Sequence, residues 1–72
     1  MAAEPAVTVR VNGSEMRLPR GASVADLLER LGIATPRVAV ERNREILPKA
    51  RYGATLVADG DAYEVVELVG GG

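Results

Sequence analysis

Apolar residues recur along this chain in several rhythms, and each rhythm specifies a different local structure. Val7, Val9 and Val11 alternate with Thr8, Arg10 and Asn12, the period of a strand with one buried face. Asn12-Gly13 follows at once. A type I′ turn needs positive φ at both central residues, and Asn-Gly is a pair that tolerates it. Met16 and Leu18 then alternate with Glu15 and Arg17 to give a return strand, which Pro19 and Gly21 end. The first element is therefore expected to be a β-hairpin. At Ser23 the rhythm changes: Val24, Leu27, Leu28 and Leu31 fall at the i, i+3, i+4, i+7 spacing of one helical face, with Asp26, Glu29 and Arg30 on the wet side. The Ser23 hydroxyl can cap a free N–H, and Asp26 three residues on resembles a capping box with a shorter acid. Gly32 is placed for the C-cap. The pattern predicts a helix of about nine residues whose apolar face must lie on the sheet.

After Thr35-Pro36, Val38-Ala39-Val40 is apolar on both faces, as expected of an interior strand. Glu41 to Arg44 predicts a turn and Glu45-Ile46-Leu47 a shorter strand, closed by Pro48. Lys49 to Tyr52 predicts a helical turn with Gly53 as its exit, and Leu56 and Val57 are expected to pack next. Asp59-Gly60-Asp61 is a tight turn into a last strand, Ala62 to Val69. In that strand Tyr63, Val65, Glu67 and Val69 share one face, and Glu64, Val66 and Leu68 the other. One helix covers only one face of a sheet. With Tyr63 and Val65 assigned to the core, Val66 and Leu68 form an apolar stripe on the open face beside Glu64, a candidate partner-docking surface. The order β-β-α-β-β-β is an α+β pattern. A mixed sheet of about five strands on one main helix suits the β-grasp arrangement, although counting elements leaves other small α+β folds open.

Composition narrows the chemistry. Seventy-two residues suit one small domain, and the chain has neither cysteine nor histidine. The commonest general base and the best side-chain nucleophile are thus both missing, which argues against an enzyme acting alone. Two tyrosines are the only aromatic residues and the net charge is −1, so nucleic acid is not an expected partner. No apolar run nears membrane-spanning length and no signal-peptide layout is present, so the expectation is a cytoplasmic protein without a membrane partner. Charge is unevenly placed. Arg37 to Arg51 holds five bases against Glu41 and Glu45, whereas Tyr52 to Gly72 holds Asp59, Asp61, Glu64 and Glu67 and no base. An acidic last strand of this kind is suited to steering towards a basic groove.

Behind Val65-Val66-Glu67-Leu68-Val69 the sequence runs into Gly70-Gly71-Gly72. A single domain is expected over 1–69, followed by a flexible tail over 70–72. Without Cβ atoms such a segment can thread a channel too narrow for side chains. It would deliver one reactive group, the α-carboxylate of Gly72. A frayed end is the plain alternative, and the tail by itself does not decide between them.

Several motifs, taken in order, resemble the ThiS-type sulfur carriers of thiamine thiazole biosynthesis, which are ubiquitin-like β-grasp proteins. They are Val11-Asn12-Gly13, Val38-Ala39-Val40-Glu41-Arg42-Asn43, Glu45-Ile46-Leu47-Pro48, Asp59-Gly60-Asp61 and Val69-Gly70-Gly71-Gly72. The resemblance covers nearly everything from Val7 onwards. It implies a covalent carrier rather than an enzyme, with no catalytic residue, no metal site and no bound cofactor of its own. A ThiF-type adenylyltransferase would use ATP and Mg²⁺ to adenylate Gly72. Sulfur from a donor such as a cysteine desulfurase would convert Gly72 to a thiocarboxylate, and a ThiG-type thiazole synthase would receive it. Gly71 matches the other glycine of the family's terminal pair, and Gly70 is additional to that pair; both are expected to thread the partner's channel. Small subunits of molybdopterin synthase end in Gly-Gly as well. They typically have a longer chain and a proline in the approach to the tail, which Glu67-Leu68-Val69 lacks. A carrier for tRNA thiolation, a ubiquitin-like modifier and a non-covalent adaptor using the Val66/Leu68 face are the further alternatives.

Overall fold

A computed structural model describes residues 5–34 and 36–68 of the chain; the expectations placed on Val69 and on Gly70, Gly71 and Gly72 lie outside them. Strand β1 (Ala6–Val11) turns through Asn12 and Gly13, at φ 50° and 87°, into β2 (Ser14–Pro19). These positive φ values are those a type I′ turn requires, so the Asn-Gly pair sets the hairpin register, with Val9 opposite Met16 and Val7 opposite Leu18. Helix α1 (Val24–Arg30) follows. Its N-cap is Ser23, whose Oγ accepts from the Asp26 N–H, while the Asp26 carboxylate accepts from the Ser23 N–H, so the capping box is complete. That second bond, from the Ser23 backbone, is the largest of the influences holding the Asp26 carboxyl below its ordinary range.

The helix spans seven residues rather than about nine, because Leu31 is its C-cap and Gly32 already stands at φ 77°. Gly32 N–H donates to the Glu29 carbonyl and Ile33 N–H to the Leu28 carbonyl, the paired bonds of a Schellman ending. Strands β3 (Val38–Arg42) and β4 (Glu45–Leu47) come next, then a 3₁₀ turn at Lys49–Arg51, and finally β5 (Ala62–Glu67). The expected four-residue turn at Glu41–Arg44 shrinks to Asn43 and Arg44, both at positive φ, because Glu41 and Arg42 still pair in the sheet.

The five strands form one sheet in the order β2-β1-β5-β3-β4. The central pair β1–β5 is parallel and the others are antiparallel. This is a mixed β-grasp sheet, and the chain's two ends of the sheet meet at its centre. Val7, Val9, Val11, Leu18, Val38, Val40, Tyr63 and Val65 point to one side and pack with Val24, Leu27 and Leu28 of α1 in a single core. Two packing expectations fail. Ala39 is exposed, so β3 is interior by hydrogen bonding but covered on one face only. Leu56 is 57% exposed: it makes an isolated bridge with Ser23 at the mouth of the helix, while its neighbour Val57 alone turns into the core.

Candidate functional site

The face of the sheet away from α1 is where the expected docking residues fall. Alternation along β5 buries Tyr63 and Val65 and turns Glu64 and Val66 outwards, as the period-2 pattern predicts. Val66 is 54% exposed and Leu68, just past the strand, 52%. The Leu68 N–H donates to the Arg37 carbonyl at 2.8 Å, so where the chain leaves β5 it is still held to the residue preceding β3. Register then brings two residues to the stripe that the sequence pattern had not placed there. Ala39 lies opposite Val66, and Ile46 lies opposite Glu41, itself opposite Glu64. Ile46 is 80% exposed, the most open of the large apolar side chains among the described residues. A three-residue strand shows too few alternations for its outward residue to be read from sequence, which is why Ile46 was missed.

This face therefore presents Ile46, Ala39, Val66 and Leu68, with Glu41 and Glu64 paired directly across β3 and β5. Like charges facing one another across strands destabilise a sheet. The pair gives this open apolar face a negative charge at its centre. The expected docking residues Glu64, Val66 and Leu68 thus lie on one face. The expected threading residues Gly70 and Gly71 and the acyl position Gly72 follow in sequence beyond the described residues.

A polar network anchors the start of β5. Asp61 is buried, and its carboxylate accepts from the Ala58 N–H at 2.9 Å, the Tyr63 hydroxyl at 2.8 Å, Arg42 Nε at 3.1 Å and Asn43 Nδ2 at 3.1 Å. Asn43 Oδ1 in turn accepts from the Ala62 N–H. Burial pushes the Asp61 carboxyl up most strongly of any single influence. The hydrogen bonds from Ala58, Asn43 and Tyr63 and the charge of Arg42 together outweigh it and hold the group below the ordinary carboxylate range. The Tyr63 hydroxyl is pushed up to about 12, chiefly by burial and then by its bond to Asp61. The Arg42 guanidinium, held first by Tyr63, is driven further towards its charged form. Among the described residues no buried side-chain nitrogen or oxygen lacks a hydrogen-bond partner, and this network ties the end of β3 to the start of β5. Sequence reasoning had read Asp61 only as a turn residue.

Among the described residues no group of three or more Asp, Glu, His or Cys is placed to hold a metal ion, and no helix is long and apolar enough to cross a membrane.

Comparison with known proteins adds the following. The model of the ThiS family matches residues 7–72. The chain is 45% identical over 62 residues to a thiazole synthase of Paramagnetospirillum magneticum, a match covering 86% of this chain and 19% of that protein. It is 35% identical over 65 residues to the sulfur carrier protein ThiS of Bacillus subtilis, covering 89% and 98%. The crystal structure of the thiamine biosynthesis protein ThiS from Geobacter metallireducens superposes with a TM-score of 0.71 at 38% identity, covering 92% of this chain and all of that one. The chain spans about a fifth of the length of the thiazole synthases it matches, so in those proteins a segment similar to this one is part of a longer polypeptide.

Proposed function

The chain belongs to the ThiS family, and on that footing we propose that it is the sulfur carrier of a thiazole-forming pathway, with Gly72 as the group that carries sulfur. The observation that carries this reading is the family match running from Val7 through Gly72, on a fold whose open apolar face lies on the strand leading to those glycines.

The chemistry follows from the carboxylate. An α-carboxyl of pKa about 3.5 is ionised at neutral pH and is a poor electrophile. One of its oxygens attacks the α-phosphorus of ATP in a partner adenylyltransferase, and pyrophosphate leaves. The acyl adenylate so formed has lost the negative charge of the carboxylate oxygens and gained a good leaving group. Hydrosulfide from the donor system then attacks the Gly72 carbonyl, the acyl C–O bond breaks as AMP departs, and the thiocarboxylate remains as the donor. A donor that presents its sulfur as a persulfide needs a thiol reductant to supply the two electrons that break the S–S bond. ATP and Mg²⁺ belong to the partner; this chain contributes a docking face, reach and the acyl group. Glycine at 71 and 72 keeps the approach to that carbonyl free of Cβ atoms. A ThiG-type thiazole synthase as acceptor is supported by the similar segment found within proteins of that name.

ATP–pyrophosphate exchange with a cognate adenylyltransferase tests this reading. The native chain should support exchange. Gly72→Ala should slow it about 100-fold by misplacing the reacting carbonyl. Val66→Asp, on the open face, should raise the carrier concentration required by about tenfold or more, as loss of an interface anchor does. Unimpaired exchange by Gly72→Ala would sink the assignment of Gly72.

A further inference from the structure

Asn12 does two jobs at the centre of the sheet. It takes the first left-handed position of the β1–β2 turn, and its side chain reaches across to β5. Backbone pairing of β1 with β5 ends where the Asn12 N–H donates to the Tyr63 carbonyl at 2.9 Å. One step further along β5, the Asn12 side-chain amide replaces the backbone. Its Oδ1 accepts from the Val65 N–H at 2.8 Å and its Nδ2 donates to the Val65 carbonyl at 3.1 Å. The side chain extends the ladder after the main chain has turned away.

Asn-Gly is also chemically labile, because glycine leaves the backbone nitrogen that follows the asparagine unshielded. We propose that Asn12 is a deamidation site held closed by its clamp on Val65, so that modification reports opening of the β1–β5 seam. In the step itself the Gly13 nitrogen attacks Cγ of Asn12. The N–Cγ bond forms, the Cγ–Nδ2 bond breaks, and Nδ2 leaves as ammonia carrying the proton lost from Gly13. Water then opens the resulting succinimide at either carbonyl to give aspartate or isoaspartate, and no other reagent is consumed. Attack requires Cγ to turn back towards Gly13, whereas the two bonds to Val65 hold it over β5. The reaction therefore passes through the unclamped state. Aspartate replaces the Nδ2 donor by a carboxylate oxygen, which meets the Val65 carbonyl as one acceptor facing another. Isoaspartate routes the main chain through Cγ and so removes the side-chain amide that made both bonds. The seam cannot reclose as before, and the strand it loosens is the one that bears Glu64 and Val66. This inference stands on the seam geometry and is independent of the carrier reading.

The test incubates the full chain at neutral pH, folded and in guanidinium chloride, and follows position 12 by mass-spectrometric peptide mapping while NMR follows exchange of the Val65 amide. Deamidation of the folded chain should be at least about fivefold slower than in denaturant, the least that two net hydrogen bonds would impose. The Val65 N–H should be protected. Asn12→Gly, which suits the turn's positive φ, should stay folded and lose that protection. Equal deamidation rates in the folded and denatured chain, or a Val65 amide as protected in Asn12→Gly as in the native chain, would overturn the proposal.

Discussion

Asp61 shows how one residue can hold three segments together. It is 6% exposed, a position where an unpaired carboxylate would be untenable, and four donors converge on it from three places: Ala58 in the 58–61 turn, Arg42 and Asn43 at the end of β3, and Tyr63 in β5. Because its folded pKa lies below the unfolded value, its contribution to stability is fully present above about pH 4 and is lost as pH falls through the depressed folded value. Tyr63 works in the opposite sense. Its hydroxyl is raised to about 12, so its contribution is present below about pH 10 and is lost as pH climbs towards the folded value. Asp61→Asn should cost about 1–3 kcal/mol at neutral pH, since an amide turns its own donor towards Arg42 and Asn43. The same variant should flatten the loss of stability below about pH 4, which chemical denaturation at a series of pH values measures directly.

At the scale of elements, local grammar carried the reading and non-local pairing did not. Asn12-Gly13, the Ser23–Asp26 capping box and the alternation of Tyr63 to Val66 act within a few residues, and each was visible in the sequence. The parallel β1–β5 seam joins residues more than fifty positions apart and leaves no local trace. Ala39 could not be placed from pattern either. Alanine suits a buried or an open face, and only the position of α1 decides which. The same reasoning finds a weak point in the fold. The β3–β4 turn uses positive φ at both Asn43 and Arg44, and Arg44, at 70°, bears a Cβ that this conformation disfavours. Left-handed backbone costs a residue with a Cβ about 1–2 kcal/mol, and glycine largely avoids that cost. Arg44→Gly should therefore stabilise the domain by about 0.5–1 kcal/mol, visible as a higher denaturation midpoint with an unchanged slope. A lower midpoint would mean that the Arg44 side chain contributes more than its backbone costs.

For the molecule as a whole, the division of labour is spatial. One face of the sheet is spent on a core closed by α1, and the other is left open with Ile46, Ala39, Val66 and Leu68 around the Glu41–Glu64 pair. The chain has no histidine or cysteine with which to do chemistry alone, and the family to which it belongs includes a sulfur carrier matched over nearly its full length. The open apolar face was half legible in the sequence: β5 showed its share, whereas Ile46 and Ala39 arrive only through strand order. The sulfur-bearing role of Gly72 rests on family membership. Intact-mass analysis tests it most directly, after incubation with a ThiF-type enzyme, Mg²⁺-ATP and a sulfur donor system. The account predicts replacement of one carboxyl oxygen by sulfur, located at Gly72 by fragmentation. An unchanged mass, with an activating enzyme shown to be active on this chain by pyrophosphate release, would contradict it.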